Sequence, residues 1–159
     1  MASRLQVELH KRRPFASRQQ EATLALWRTT DQVGLEFNRL FRGHGLTSAQ
    51  YNILRILRGA GTPLPVLDIA ARTITVVPGI TGLVDRLERR HWVERRRCPE
   101  DRRVIRVAIT PAGLELLARL DAPLLALHRR LLDGLAADEL DLLISLLERI
   151  RARCEERES

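Results

Sequence analysis

"RRRCPEDRRVIRVAIT", residues 95–110, sets three consecutive arginines, a Cys-Pro turn, an acidic pair and two more arginines ahead of a strand that alternates apolar and polar residues. Like charges crowded on a short loop repel one another, so a fold gathers them there to little purpose unless an anionic partner compensates. "WVERRR" (92–97) and "RVIRVAIT" (103–110) flank "CPED", and both alternate with period two, which predicts a two-stranded hairpin closed by a proline-containing loop.

Upstream of the hairpin the period changes to that of helices. In "PGITGLVDRLERRHW" (78–92), Pro78 is placed to start a helix; Ile80, Leu83, Val84 and Leu87 line one face and leave Thr81, Asp85, Arg86 and Arg89 outward. "TPLPVLDIAART" (62–73) predicts a short helix with Pro65 near its first turn and Val66, Leu67, Ile69 and Ala70 as its buried side. "LTSAQYNILRILRGAG" (46–61) carries a capping box, Thr47 with Gln50, and glycines 59 and 61 to stop the helix. A long amphipathic helix precedes it from Ser17 to Arg42, with Leu24, Trp27, Leu35, Phe37, Leu40 and Phe41 mostly at helical spacing. Short helices followed by one hairpin read as a winged helix.

Downstream, Thr110 and Pro111 cap a helix that carries Leu114, Leu117, Leu120, Leu124, Leu127 and Leu131 and runs towards Asp133-Gly134. The last helix, "ADELDLLISLLERIRARCEERE" (137–158), is apolar over more than one face, as is the one before it. One small lobe cannot cover that much apolar surface, and a second copy of the chain is the simplest cover. The expected fold is therefore mainly α with a small β-hairpin wing. It forms a single domain over 1–159, in which a winged helix-turn-helix lobe (47–110) is joined to a dimerisation region made by the terminal helices (17–42 and 111–156).

The formal charge is +7 and Lys11 is the only lysine. Between Asp85 and Arg106 nine arginines meet five acidic residues, so this segment supplies four of the seven net charges and has the footprint of a nucleic-acid binder. Two cysteines, Cys98 and Cys154, make no disulfide framework, and a reducing cytoplasm is the expected setting. Cys98 among arginines reads either as an inert exposed thiol or as an oxidation sensor, and Cys154 either as a surface residue or as a partner for its symmetry mate. No apolar run reaches the ~20 residues of a membrane span, so no membrane partner is expected. The four histidines are scattered without ligand spacing, so neither a metal site nor a cofactor is expected.

In order and content, "LTSAQYNILRIL", "GITGLVDRLERRHWVERR", "PEDRRVIRVAITPAG" and "LLISLLERI" resemble the MarR family of bacterial winged-helix transcription regulators over roughly residues 20 to 155. The resemblance implies a homodimer with intertwined terminal helices that reads a pseudo-palindromic site on double-stranded DNA. The helix beginning at Pro78 would enter the major groove. There Thr81 and the neighbouring Gly79 and Gly82 would approach base edges, while Arg86 would reach phosphate or base. Asp101 and Arg103 match the Asp-x-Arg signature of the wing: the arginine would insert into the minor groove, where a planar, weakly hydrated guanidinium suits a narrow groove of enhanced negative potential. Arg95, Arg97 and Arg102 would contact phosphates. Trp27, Phe37, Phe41 and Tyr51 read first as core; the resemblance offers them a second role, lining a pocket for a small aromatic or lipophilic effector.

These readings converge on a sequence-specific DNA-binding regulator, a ligand-responsive repressor. An architectural DNA binder with weak sequence preference and a helical interaction protein that has lost DNA binding are the alternatives. An enzyme is not expected: no nucleophile is paired with a base, and there is no phosphate loop and no carboxylate pair in a plausible cleft.

Overall fold

The computed structural model describes residues 3–75, 78–97 and 104–156. A five-residue helix, α1 (Arg4–Glu8), which sequence periodicity did not predict, is capped by Ser3. Helix α2 (Arg18–Gly43) begins where Ser17 Oγ accepts from the Gln20 N–H at 3.1 Å. Helix α3 (Ser48–Ala60) has the expected capping box: the Gln50 N–H donates to Thr47 Oγ1 (3.2 Å) and the Thr47 N–H to Gln50 Oε1 (2.9 Å). Gly61, not Gly59, ends it, in the left-handed conformation at φ 66° that glycine adopts without steric cost.

A two-residue strand β1 (Leu64–Pro65) leads into α4 (Val66–Ala71), with Pro65 as its N-cap. The expected buried side of α4 needs correction. Ile69 is fully buried and Val66 and Ala70 half-buried, but Leu67 is 81 % exposed. Residues two apart on a helix point to opposite sides, and six residues present only one face to the core.

Helix α5 (Ile80–Arg89) is followed by the hairpin strands β2 (Val93–Arg97) and β3 (Ile105–Ile109), paired Val93↔Ile109, Arg95↔Val107 and Arg97↔Ile105. The wing is larger than a hairpin, because β1 pairs antiparallel with β3 and makes a three-stranded sheet of order β1-β3-β2. Two residues are too few to show a period, so β1 left no signal in the sequence.

Helix α6 (Pro111–Leu131) starts at Thr110, whose Oγ1 accepts from the Gly113 N–H at 3.1 Å and donates to the His91 carbonyl at 2.6 Å. A Cβ on Gly113 would stand 2.3 Å from the Trp92 carbonyl oxygen, so only glycine lets α6 dock this closely on the strand entry. Pro123 lies inside α6 and removes one helical N–H donor. The last helix, α7 (Ala137–Glu155), starts with the Glu139 carboxylate accepting from the Ala136 N–H at 2.8 Å.

The chain divides into two compact units, one reaching to Leu124 and one starting at Leu125. The first has a core of Ile53, Leu54, Leu57, Ile69, Val84, Leu87, Val93, Val107 and Leu117, drawn from α3, α4, α5, the sheet and α6. In the second, α7 buries none of its residues, and Leu142, Leu146 and Ile150, spaced by four, are all exposed. Among the described residues no helix is long and apolar enough to cross a membrane.

Candidate nucleic-acid interface

Helix α5 is held by three buried residues, Leu83, Val84 and Leu87, so its opposite face is fixed outward: Thr81, Asp85, Arg86 and Arg89 are exposed, as expected. Its start differs from expectation. Pro78 lies in the turn before the helix, and Gly79 is the N-cap, in the left-handed region at φ 69° and ψ 38°. Gly79 is thus a turn residue, and only Gly82 carries the ~1 kcal/mol cost of an interior helical glycine. A Cβ on Gly82 would lie 3.9 Å from Arg86 Nη1, which places the Arg86 guanidinium beside the bare backbone of Gly82 on the outward face.

Arg95 is not a free cation on the wing. Its guanidinium pairs with Asp85 Oδ1 (2.5 Å) and with Glu88 Oε2, while its backbone N–H donates to Glu88 Oε1 at 2.9 Å. Burial alone would lower its pKa; the hydrogen bonds to Asp85 and Glu88 outweigh that and hold it above the ordinary arginine value. These contacts tie strand β2 to the outward edge of α5. Sequence reading counted Asp85 and Glu88 as charge without giving them this role, although residues three apart on one helix face were placed to clasp a single side chain.

Arg90 lies over the Trp92 ring at 5.0 Å and donates to the Gly45 carbonyl at 3.4 Å, so it braces the turn between α5 and β2. Arg96 pairs with Glu94, and Arg97 is exposed at the end of β2. Asp101, Arg102 and Arg103, with Cys98, lie outside the described residues.

Of the four aromatic residues suggested as a pocket, the structure brings three together. Phe41 and Tyr51 stack with centroids 4.3 Å apart and planes at 18°, and Phe37 lies 6.1 Å from Phe41. They fill space as core, and burial pushes the Tyr51 phenol up. Trp27 is 69 % exposed.

The arrangement is a braced helix presenting a polar, cationic outer face, clamped to a basic two-stranded arm. Comparison with known proteins agrees with it. The profile of the MarR family matches residues 46–105, which run from the residue before the α3 cap to the start of β3. The multiple antibiotic resistance protein MarR of Salmonella typhimurium is 32% identical over 106 residues, covering 66% of this chain and 73% of that protein. The homoprotocatechuate degradative operon repressor of Escherichia coli is 28% identical over 126 residues, covering 79% and 84%. The crystal structure of a MarR transcription factor from Planctomyces limnophilus superposes with a TM-score of 0.65 at 47% identity, covering 84% of this chain and 98% of that one. The family is one of transcription regulators and not of enzymes. The chain belongs to the MarR family of winged-helix proteins, and it is a DNA-binding transcriptional regulator.

Proposed function

We propose that the protein is a homodimeric, ligand-responsive repressor that reads a pseudo-palindromic operator. The lobe formed by residues 47–110 contacts DNA, and the terminal helices, 17–42 and 111–156, make the dimer. One observation carries the reading: the outward face of α5, with Thr81 and Arg86 exposed beside Gly82, is clamped to the arginine-bearing strand β2 by Arg95. A recognition helix and a wing fixed to each other as one surface suit a major groove and the minor groove next to it. Thr81 and Arg86 then address base edges and phosphate, Gly79 and Gly82 allow close backbone approach, and Arg97 and Arg102 address phosphates. Arg103, oriented by Asp101, inserts into the minor groove.

Arg95 has a different part: it positions the wing and makes no phosphate contact of its own. The exposed apolar residues of α7 and of α2, Leu142, Leu146, Ile150, Trp27 and Leu35, support a dimer, since leucines and a tryptophan left in water at this density call for a cover. Repression and ligand response are supported by family membership and by the repressor among the relatives. The protein acts in the cytoplasm, where DNA and a reducing environment coincide. The architectural and interaction-protein readings are not favoured by relatives that are regulators.

The test is selection of bound duplexes from a random pool by the purified chain at near-physiological salt. Enrichment of a two-fold-related motif with half-sites about one helical turn apart is expected. Binding without enrichment would replace the operator reading by an architectural one.

A further inference from the structure

The first eighteen residues, "MASRLQVELHKRRPFASR", lie ahead of the stretch matched by the family profile and carry five cationic side chains against one carboxylate, Glu8. Their net charge of +4 equals that of the segment from Asp85 to Arg106, and the rest of the chain taken together is slightly acidic. The positive charge of the protein thus sits in two places, and DNA recognition by α5 and the wing accounts for only one of them.

The other place is a built turn. Helix α1 closes with the His10 N–H donating to the Val7 carbonyl and the Lys11 N–H to the Gln6 carbonyl, each at 3.0 Å, while His10 takes the left-handed conformation at φ 50°. That pair of bonds is the Schellman ending of a helix. Gln6 Nε2 donates in turn to the Lys11 carbonyl at 3.2 Å, and the Lys11 ammonium lies over the Phe15 ring at 5.4 Å. On the other side the Ala16 N–H donates to Gln20 Oε1 at 2.8 Å and Ser17 caps α2, so the turn is fixed to that helix. Arg12 and Arg13 stand between these anchors. Both are exposed, and neither side chain has an ion-pair or hydrogen-bond partner among the described residues. Arg4 and Arg18, by contrast, are answered by Glu8 and Glu21. A local structure that holds adjacent guanidiniums together and supplies no carboxylate carries a repulsion that an external anion relieves.

We propose that this turn is a second DNA-binding element, in which Arg12 and Arg13 contact backbone phosphates of the duplex outside the half-site read by α5 and the wing. The placement outside the half-site rests on the operator reading. DNA fits better than a membrane, because the apolar residues that α1 and its cap leave exposed are only Val7 and Leu9, too few to seat a helix in a bilayer surface. It is also already at hand: duplex held by α5 and the wing presents phosphates at high local concentration to any other basic element of the same chain. Along the chain the turn is separated from residues 47–110 by α2, 26 residues and about 39 Å long, which exceeds one turn of duplex. That length is what sets its contacts beyond the half-site. Contacts to phosphates there add affinity without adding sequence preference.

The test is Arg12→Gln combined with Arg13→Gln in the full chain, with DNA binding followed by fluorescence anisotropy across a salt series. On a duplex of arbitrary sequence and about 60 base pairs, which needs no operator, the slope of log affinity against log salt is expected to become shallower by about two, since each phosphate contact contributes ~0.9. On the site enriched by selection, the double variant should bind a duplex trimmed to the site within about two-fold of the unmodified chain, and a duplex with about 20 flanking base pairs on each side at least ten-fold more weakly than the unmodified chain does. An unchanged slope on the arbitrary duplex would overturn the proposal. Equal losses on trimmed and flanked duplexes would overturn it too, by putting the turn at the half-site. If selection enriches no site, the slope alone decides whether the turn binds DNA. A dimer dissociation constant raised at least ten-fold with the slope unchanged, read by sedimentation equilibrium, would overturn the proposal in favour of a second copy of the chain as the partner of the turn.

Discussion

Helices α3 and α7 are both rich in leucine and isoleucine, yet α3 buries seven of its thirteen residues and α7 none of its nineteen. The difference is one of purpose rather than composition. In α3 the apolar residues Ile53, Leu54, Ile56 and Leu57 are covered by the sheet, by α4 and α5 and by the start of α6, so the helix is the keel on which α4, α5 and the sheet sit. In α7 Leu140, Leu143 and Leu147 are half-covered, and Leu142, Leu146 and Ile150 form a second stripe in water. A stripe of that kind, spaced by four, is the seam that the proposed dimer would use. One helix stabilises the chain by itself; in the proposed dimer, the other would stabilise it only at a concentration that allows pairing.

The largest effect should come from the keel. Leu54→Ala deletes a fully buried side chain from the centre of the lobe and is expected to cost ~2–5 kcal/mol. That loss is intramolecular, so chemical denaturation should show the same decrement at every protein concentration. A decrement that shrinks on concentrating the protein would place Leu54 in an association and dissolve the contrast with α7.

The converse substitution, Leu142→Arg, touches a residue 60 % exposed in the single chain. It should leave the folded chain intact while weakening dimerisation by ~2–3 kcal/mol, the worth of one buried leucine plus the penalty for a charge in its place. Sedimentation equilibrium reads it as a dissociation constant raised by about 100-fold, since every ~1.4 kcal/mol is tenfold. An unchanged sedimentation profile would mean that this stripe of α7 is not the seam.

Between keel and seam lies the clamp. Arg95→Ala removes the side-chain hydrogen bonds to Asp85 and Glu88 and leaves the backbone N–H bond to Glu88 in place, with an expected stability loss of ~1–2 kcal/mol. DNA affinity should fall as the wing loses its setting against α5, while the slope of affinity against salt stays as it was. A slope shallower by about one would make Arg95 a phosphate contact, as its place in the arginine run first suggested.

That case shows where sequence reading stops. The face of α5 was legible because burial of Leu83, Val84 and Leu87 follows a 3.6-residue period, and period alone decides which side Thr81 and Arg86 take. The capping box at Thr47 and Gln50, and the start of α6 at Thr110, were legible because they rest on local spacing. What one arginine in a run does was not, since Arg95, Arg96 and Arg97 are identical in sequence and differ only by which carboxylates the fold brings within reach: Asp85 and Glu88, Glu94, or solvent. Strand β1 escaped notice because it is defined by its partner β3 more than forty residues away.

The smallest effect sharpens the same point on a single short helix. Leu67 and Ile69 both read as core from composition, but Ile69 is fully buried and Leu67 81 % exposed. An exposed leucine in water contributes little burial to lose, so Leu67→Ser should change stability by no more than ~0.5 kcal/mol. Helix propensity favours leucine slightly over serine, which sets the sign as destabilising. Thermal denaturation of the dimer and of the Leu142→Arg chain should show the same small shift, because Leu67 belongs to the lobe and is outside the proposed seam. A loss of ~2 kcal/mol or more, the worth of a buried leucine, would instead show that Leu67 is covered in the assembled protein. The boundary between keel and seam would then run through α4 and not between the lobe and the terminal helices.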